Sequence, residues 1–136
     1  MTLELRQMIK KKILVVEDEF LIAFDIKERV EKFGYEVLNI VDSGEEAIEK
    51  TGDMRPDLVL MDVTLKGKID GAEAAREILS RFRIPVIFIT AHSDEETLKR
   101  LRKISPFGCF TKPLDVWELR ERMEKVLSKS FDGAVG

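Results

Sequence analysis

Asp62 closes the apolar run Leu58-Val59-Leu60-Met61, and Glu17 with Asp18 closes an earlier run, Ile13-Leu14-Val15-Val16. A carboxylate directly after so short an apolar run stands at the carboxyl edge of a buried strand. Two parallel strands, each leading into a helix, bring those edges side by side in the crevice where α/β folds bind ligands. Three carboxylates meeting there repel one another, and a hard divalent cation with oxygen ligands keeps all three ionised. Magnesium is the cofactor these residues point to, with manganese as its substitute. Thr90, after Val86-Ile87-Phe88-Ile89, and Lys112, before Pro113, add a hydroxyl and an ammonium at the same edge. Phosphoryl transfer asks little more of a protein than in-line positioning and neutralisation of the phosphoryl oxygens. In that chemistry Asp62 is the nucleophile and an acyl phosphate is the product.

The elements that must position these groups alternate regularly. Runs rich in Val, Ile and Phe recur at residues 13–16, 36–41, 57–61, 85–89 and 107–111, each too short for a typical helix. Amphipathic segments at 19–33, 44–52, 71–82, 94–104 and 116–128 separate them, with apolar residues at helical spacing such as Ile22, Ile26, Val30 and Phe33. Capping boxes are expected at Ser43 with Glu46, Asp70 with Glu73, Ser93 with Glu96 and Asp115 with Glu118. Gly34 and Gly52 supply the expected left-handed stops, and Pro85 begins the fourth strand. Five βα units with right-handed crossovers give a doubly wound α/β sandwich, a five-stranded parallel sheet with five helices. Residues 1–11 are expected to form an N-terminal extension, in which Leu3, Leu5, Met8 and Ile9 can make a short extra turn, and 129–136 a tail, and no output domain is expected.

Composition narrows the function. A chain of 136 residues suits one domain, and its net charge of −3 argues against a phosphate-backbone binder, so no nucleic-acid partner is expected. The single cysteine, Cys109, excludes an internal disulfide and suits a reducing cytosol. No apolar run approaches the roughly 20 residues of a membrane span and no signal peptide precedes the first strand, so a cytoplasmic protein without membrane contact is expected. Charged residues make up 36% of the chain with both signs interspersed, which reads as a solvated surface.

A carboxylate pair after the first strand, an aspartate after the third, a hydroxyl after the fourth and Lys-Pro after the fifth together resemble the receiver domain of two-component response regulators. The resemblance covers residues 12–128 and rests on VVEDE, LVLMDV, IDGAEAA, FITAHS and FTKP, in that order. It implies a flavodoxin-like sheet of order 2-1-3-4-5, with Asp62 as phosphoacceptor for a sensor histidine kinase or a histidine phosphotransfer protein. It further implies metal ligation by Glu17, Asp18, Asp62 and the Thr64 carbonyl, with Lys112 and Thr90 on the phosphoryl oxygens. Movement of Thr90 toward that group would shift the loop ahead of the fourth helix and carry the signal. His92, the sole histidine, reads as a solvated loop residue or as a neighbour of the phosphoryl group.

Two positions depart from the family pattern. Cys109 stands where an aromatic switch residue is usual, and Phe110 beside it faces the other side of the sheet. The loop Leu65-Lys66-Gly67-Lys68-Ile69-Asp70-Gly71 lacks the usual proline and reaches its Asp-Gly one residue late, which sets Lys66 and Lys68 near the site. Phe20 and Phe24, one turn apart beside the acidic pocket, mark the surface where the family docks its kinase, unless both rings pack on neighbouring helices. Trp117 lies beside the core stripe of the last helix, in the region that would meet a downstream protein target or form a homodimer.

The function implied is that of a single-domain regulator that signals through phosphorylation of Asp62 and is not an enzyme in the ordinary sense. A degenerate receiver, acting as a phosphorylation-independent interaction module, is the alternative. A phosphatase with an aspartate nucleophile would need an acid where Thr64 stands, and a nucleotide site would need a Gly-rich turn where Glu17-Asp18-Glu19 stands.

Overall fold

In the computed structural model, residues 2–128 are described. The elements run α1 (Leu3–Met8), β1 (Lys12–Val16), α2 (Phe20–Lys32), β2 (Glu36–Val41), α3 (Gly44–Met54), β3 (Leu58–Met61), α4 (Gly71–Phe82), β4 (Val86–Thr90), α5 (Glu95–Ile104), β5 (Cys109–Thr111) and α6 (Val116–Leu127). All five strands are parallel in the order β2-β1-β3-β4-β5, so the expected sheet is present and β1, β3 and β4 lie inside it. Six helices accompany it among the described residues, because the N-terminal segment forms α1 in addition to the five expected. The tail at 129–136 lies outside the described residues.

Period-two alternation splits the core into two layers. Leu14, Val16, Val59, Met61, Val86 and Phe88 pack on one side with apolar residues of α3, α4 and α5. Ile13, Val15, Leu58, Leu60, Ile87 and Ile89 pack on the other with Ala23, Ile26 and Val30 of α2 and Leu119, Met123 and Leu127 of α6. Each such large side chain, once buried, contributes about 1.5–3 kcal/mol. Burial on both faces explains why these strands read as unbroken apolar runs.

Three local expectations need correction. Gly52 does not end α3, which continues to Met54 and stops at Arg55 in the left-handed conformation, φ 50°. Gly52 instead permits close packing, since a Cβ there would meet the Phe82 ring at 3.1 Å. Ser93 does not cap α5; Asp94 does, accepting from the Thr97 backbone N–H at 3.0 Å and from its hydroxyl at 2.6 Å. The last strand is confined to Cys109–Thr111. Ser43, Asp70 and Asp115 cap their helices, accepting from the Glu46, Glu73 and Glu118 backbone N–H groups.

Candidate functional site

Because β1 and β3 are neighbours in register, with Val16 opposite Met61, the residues that follow them are neighbours too. The Asp62 backbone N–H donates to the Val16 carbonyl at 2.9 Å, and the Glu17 N–H donates to the Val41 carbonyl at 2.9 Å. Glu17 is 2% exposed, Asp62 is 7% exposed and Asp18 is half-buried. One carboxylate oxygen of each lies within 4.8 Å of the others. An all-oxygen set of this size suits a hard divalent cation of the magnesium class.

Lys112 brings a positive charge into contact with these carboxylates. Lys112 Nζ donates to Glu17 Oε1 at 2.7 Å and stands 3.5 Å from Asp62 Oδ2. Three carboxylates against one ammonium leave two negative charges in a largely buried crevice, which a dication neutralises. Burial alone pulls the Lys112 ammonium down, but the hydrogen bond to Glu17 and the charges of Asp62 and Glu17 outweigh it and hold the group above the ordinary lysine value. Glu17 Oε2 also accepts from the Glu19 N–H at 3.2 Å, so both of its oxygens have protein partners.

Thr90 is fully buried, and its Oγ1 accepts from the His92 backbone N–H at 3.1 Å. The His92 ring turns toward the neighbouring loop, where Nε2 lies 3.1 Å from Thr64 Oγ1. The loops after β3 and β4 are therefore joined by two residues that follow the site residues at the same spacing. Lys112 is placed by the hydrogen bond from its N–H to the Thr90 carbonyl, 2.8 Å, and the Lys112–Pro113 peptide is cis.

The outer positions divide. Lys66 reaches Asp42, Nζ to Oδ2 3.9 Å, beside an open cleft of about 580 Å³ that Glu17, Asp18 and Phe20 also line. Phe20 and Phe24 stack on each other, centroids 6.1 Å apart, and remain 71% and 43% exposed, so neither ring is buried against a neighbouring helix. Leu21, unmarked by helical spacing, extends that surface. Trp117 is also exposed. Cys109 packs against the α3–α4–α5 layer and Phe110 against the α2–α6 layer. Burial pushes the Cys109 thiol up, so it stays protonated and behaves as a small apolar side chain.

Sequence reasoning missed Glu45. Its carboxylate accepts from the backbone N–H of Lys68 at 2.6 Å and of Ile69 at 3.1 Å. A glutamate in a first helical turn reads as a partner of the helix dipole, and nothing local signals a contact 23 residues away.

The response regulator receiver domain family matches residues 13–124. The chain is 33% identical over 121 residues to the transcriptional regulatory protein PdtaR of Mycobacterium tuberculosis, covering 89% of this chain and 58% of that protein. It spans about half the length of the curated relatives it matches. Among solved structures it is similar to the signal receiver domain of a modulated diguanylate cyclase from Desulfovibrio desulfuricans, with TM-score 0.80, 37% identity and coverage of 88% of this chain and 94% of that one. It is also similar to the receiver domain of a sensor histidine kinase from Pseudomonas aeruginosa, which has a magnesium ion coordinated in its active site cleft; the TM-score is 0.78 at 27% identity, covering 88% and 99%. No helix among the described residues is long and apolar enough to cross a membrane.

Proposed function

This chain belongs to the response regulator receiver family, and on that premise we propose that Asp62 accepts a phosphoryl group from a phosphohistidine of a sensor kinase or histidine phosphotransfer protein. The observation that carries the reading is the Asp62 carboxylate, nearly buried at the end of β3, within 4.8 Å of Glu17 and Asp18 and 3.5 Å from the Lys112 ammonium. That arrangement supports a phosphorylatable receiver over a degenerate interaction module.

In the reaction an Asp62 carboxylate oxygen attacks phosphorus in line. The bond from phosphorus to the imidazole nitrogen breaks, its electron pair stays on that nitrogen, and an acyl phosphate forms on Asp62. Glu17, Asp18, Asp62 and the Thr64 carbonyl would hold a divalent cation, magnesium or manganese, which when bound supplies positive charge to the phosphoryl oxygens. The Lys112 ammonium contributes a second positive charge beside Asp62. The Thr90 hydroxyl donates to a phosphoryl oxygen once the group arrives, and because Thr90 Oγ1 also accepts from the His92 N–H, its movement reaches the loop before α5. The exposed Phe20, Leu21 and Phe24 give a kinase an apolar contact beside the acid cluster, and Trp117 serves a downstream partner or a second copy.

Intact-mass analysis after incubation with magnesium and a small-molecule phosphodonor tests this. The expected product carries one phosphoryl group, absent from Asp62→Asn and from metal-free protein. A folded wild-type protein that a purified histidine phosphodonor also leaves unmodified would overturn the proposal in favour of the interaction module.

A further inference from the structure

The loop between Asp62 and α4 belongs to no helix or strand, yet it is tied to the start of α3 at Lys66, Lys68 and Ile69. The Glu45 carboxylate bonds the Lys68 and Ile69 backbone N–H groups at 2.6 and 3.1 Å. Gly67 has φ +98°, a conformation that favours glycine, and a side chain there would displace that carboxylate. Ser43 pairs with Lys66 as an isolated parallel bridge, and Lys66 reaches Asp42 at 3.9 Å. At the base of the loop the Gly71 N–H donates to the Val63 carbonyl at 2.7 Å. Gly71 lies directly against the Asp62 carbonyl, where a Cβ could not be placed. The loop is thus anchored at its tip by Glu45 and at its base beside Asp62, with Thr64 between the two anchors.

We propose that Glu45 is a positioning residue for the phosphorylation site, holding the loop after Asp62 in the geometry that lets Asp62 and Thr64 share one divalent cation. The inference rests on the function proposed above. Without the clamp, the Lys68 and Ile69 N–H groups turn to water and the loop gains conformations in which the Thr64 carbonyl faces away from the carboxylates. Cation binding must then reorder the loop, and the cost appears as weaker affinity. A staple that merely stabilised the fold would change the melting temperature and leave affinity alone.

Three measurements on wild type, Glu45→Ala and Glu45→Gln test it: amide hydrogen exchange of Lys68 and Ile69 in metal-free protein, magnesium affinity by calorimetric titration, and phosphorylation rate at limiting and saturating magnesium. Glu45→Ala is expected to speed exchange of those two amides at least tenfold and weaken magnesium binding threefold or more, with the rate recovering at saturating magnesium. Glu45→Gln keeps an acceptor oxygen and is expected to fall between. Faster exchange with wild-type magnesium affinity in either folded variant overturns the inference; should Glu45→Ala not fold, Glu45→Gln decides alone. A wild-type protein that binds no magnesium removes the function proposed above and this inference with it, and the wild-type titration separates that outcome from failure of Glu45 alone.

Discussion

Lys112 is held more closely by Glu17, at 2.7 Å, than by Asp62, at 3.5 Å, so Glu17 is its principal partner and the proposed nucleophile its second. Glu17 is the more deeply buried of the two acids and has more to lose without a cation. Lys112→Met is therefore expected to destabilise metal-free protein by about 1–3 kcal/mol, less than the loss of a partner from a fully buried pair because the ammonium is partly exposed. Magnesium should recover part of that loss. Urea titrations with and without magnesium check both. The pair also sets an alkaline limit. Folding raises the Lys112 value, so its contribution is complete below the unfolded value and is lost as pH rises through the folded one. The wild-type urea midpoint should fall in that alkaline window, and the Lys112→Met midpoint should not follow it.

Thr64 Oγ1 and His92 Nε2, 3.1 Å apart, link the loop that follows Asp62 to the loop that follows Thr90. Net, one such bond contributes about 0.5–1.5 kcal/mol, which corresponds to about a 2- to 12-fold change in a rate that depends on opening it. His92→Ala is expected to shorten the lifetime of the acyl phosphate by a factor in that range, with phosphorylation still requiring Asp62 and magnesium. Single-turnover decay of the phosphorylated protein gives the answer, and an unchanged lifetime would show that the bond does not gate water.

The expectations that rested on burial agree with the structure, and those that rested on a single local signal do not all do so. Strand ends were legible because β1, β3 and β4 are buried on both faces and stop abruptly at Glu17, Asp62 and Thr90. Gly52 misled because a glycine serves either a left-handed stop or a close contact, and only the tertiary structure shows that Phe82 claims the space. Ser93 and Asp94 are adjacent capping residues of equal quality, and Thr97, which offers Asp94 both an N–H and a hydroxyl, decides between them. Glu45 could not be found, because its partners are backbone N–H groups in a loop that sequence leaves without coordinates.

Gly71 begins α4 against the Asp62 carbonyl. The obstacle to a side chain there is backbone, which cannot rotate away as a flexible side chain would. Gly71→Ala is expected to cost about 3 kcal/mol and to shift Asp62, the residue whose position matters most. A loss of phosphorylation larger than the loss of folded protein, measured on the same sample, distinguishes displacement of Asp62 from simple unfolding.

Asp94 caps α5, the helix that begins just beyond Thr90 and His92, and its acid form should uncap that helix. The Thr97 hydroxyl first, and then the Thr97 N–H, hold the Asp94 carboxyl below the ordinary aspartate range. A depressed folded value means that the cap contributes above the unfolded value and is lost as pH falls through the folded one. Near neutral pH, Asp94→Ala should lower the urea midpoint while Ser93→Ala leaves it unchanged, since the serine makes no capping bond. The gap between wild type and Asp94→Ala should narrow in acid. If the α5 N-terminus also moves when Asp62 is phosphorylated, the exchange rates of the Glu96 and Thr97 amides will change on phosphorylation in wild type and change less in Asp94→Ala, whose first turn is already frayed. Equal changes in both would mean that the signal leaves the Thr90 loop by another path.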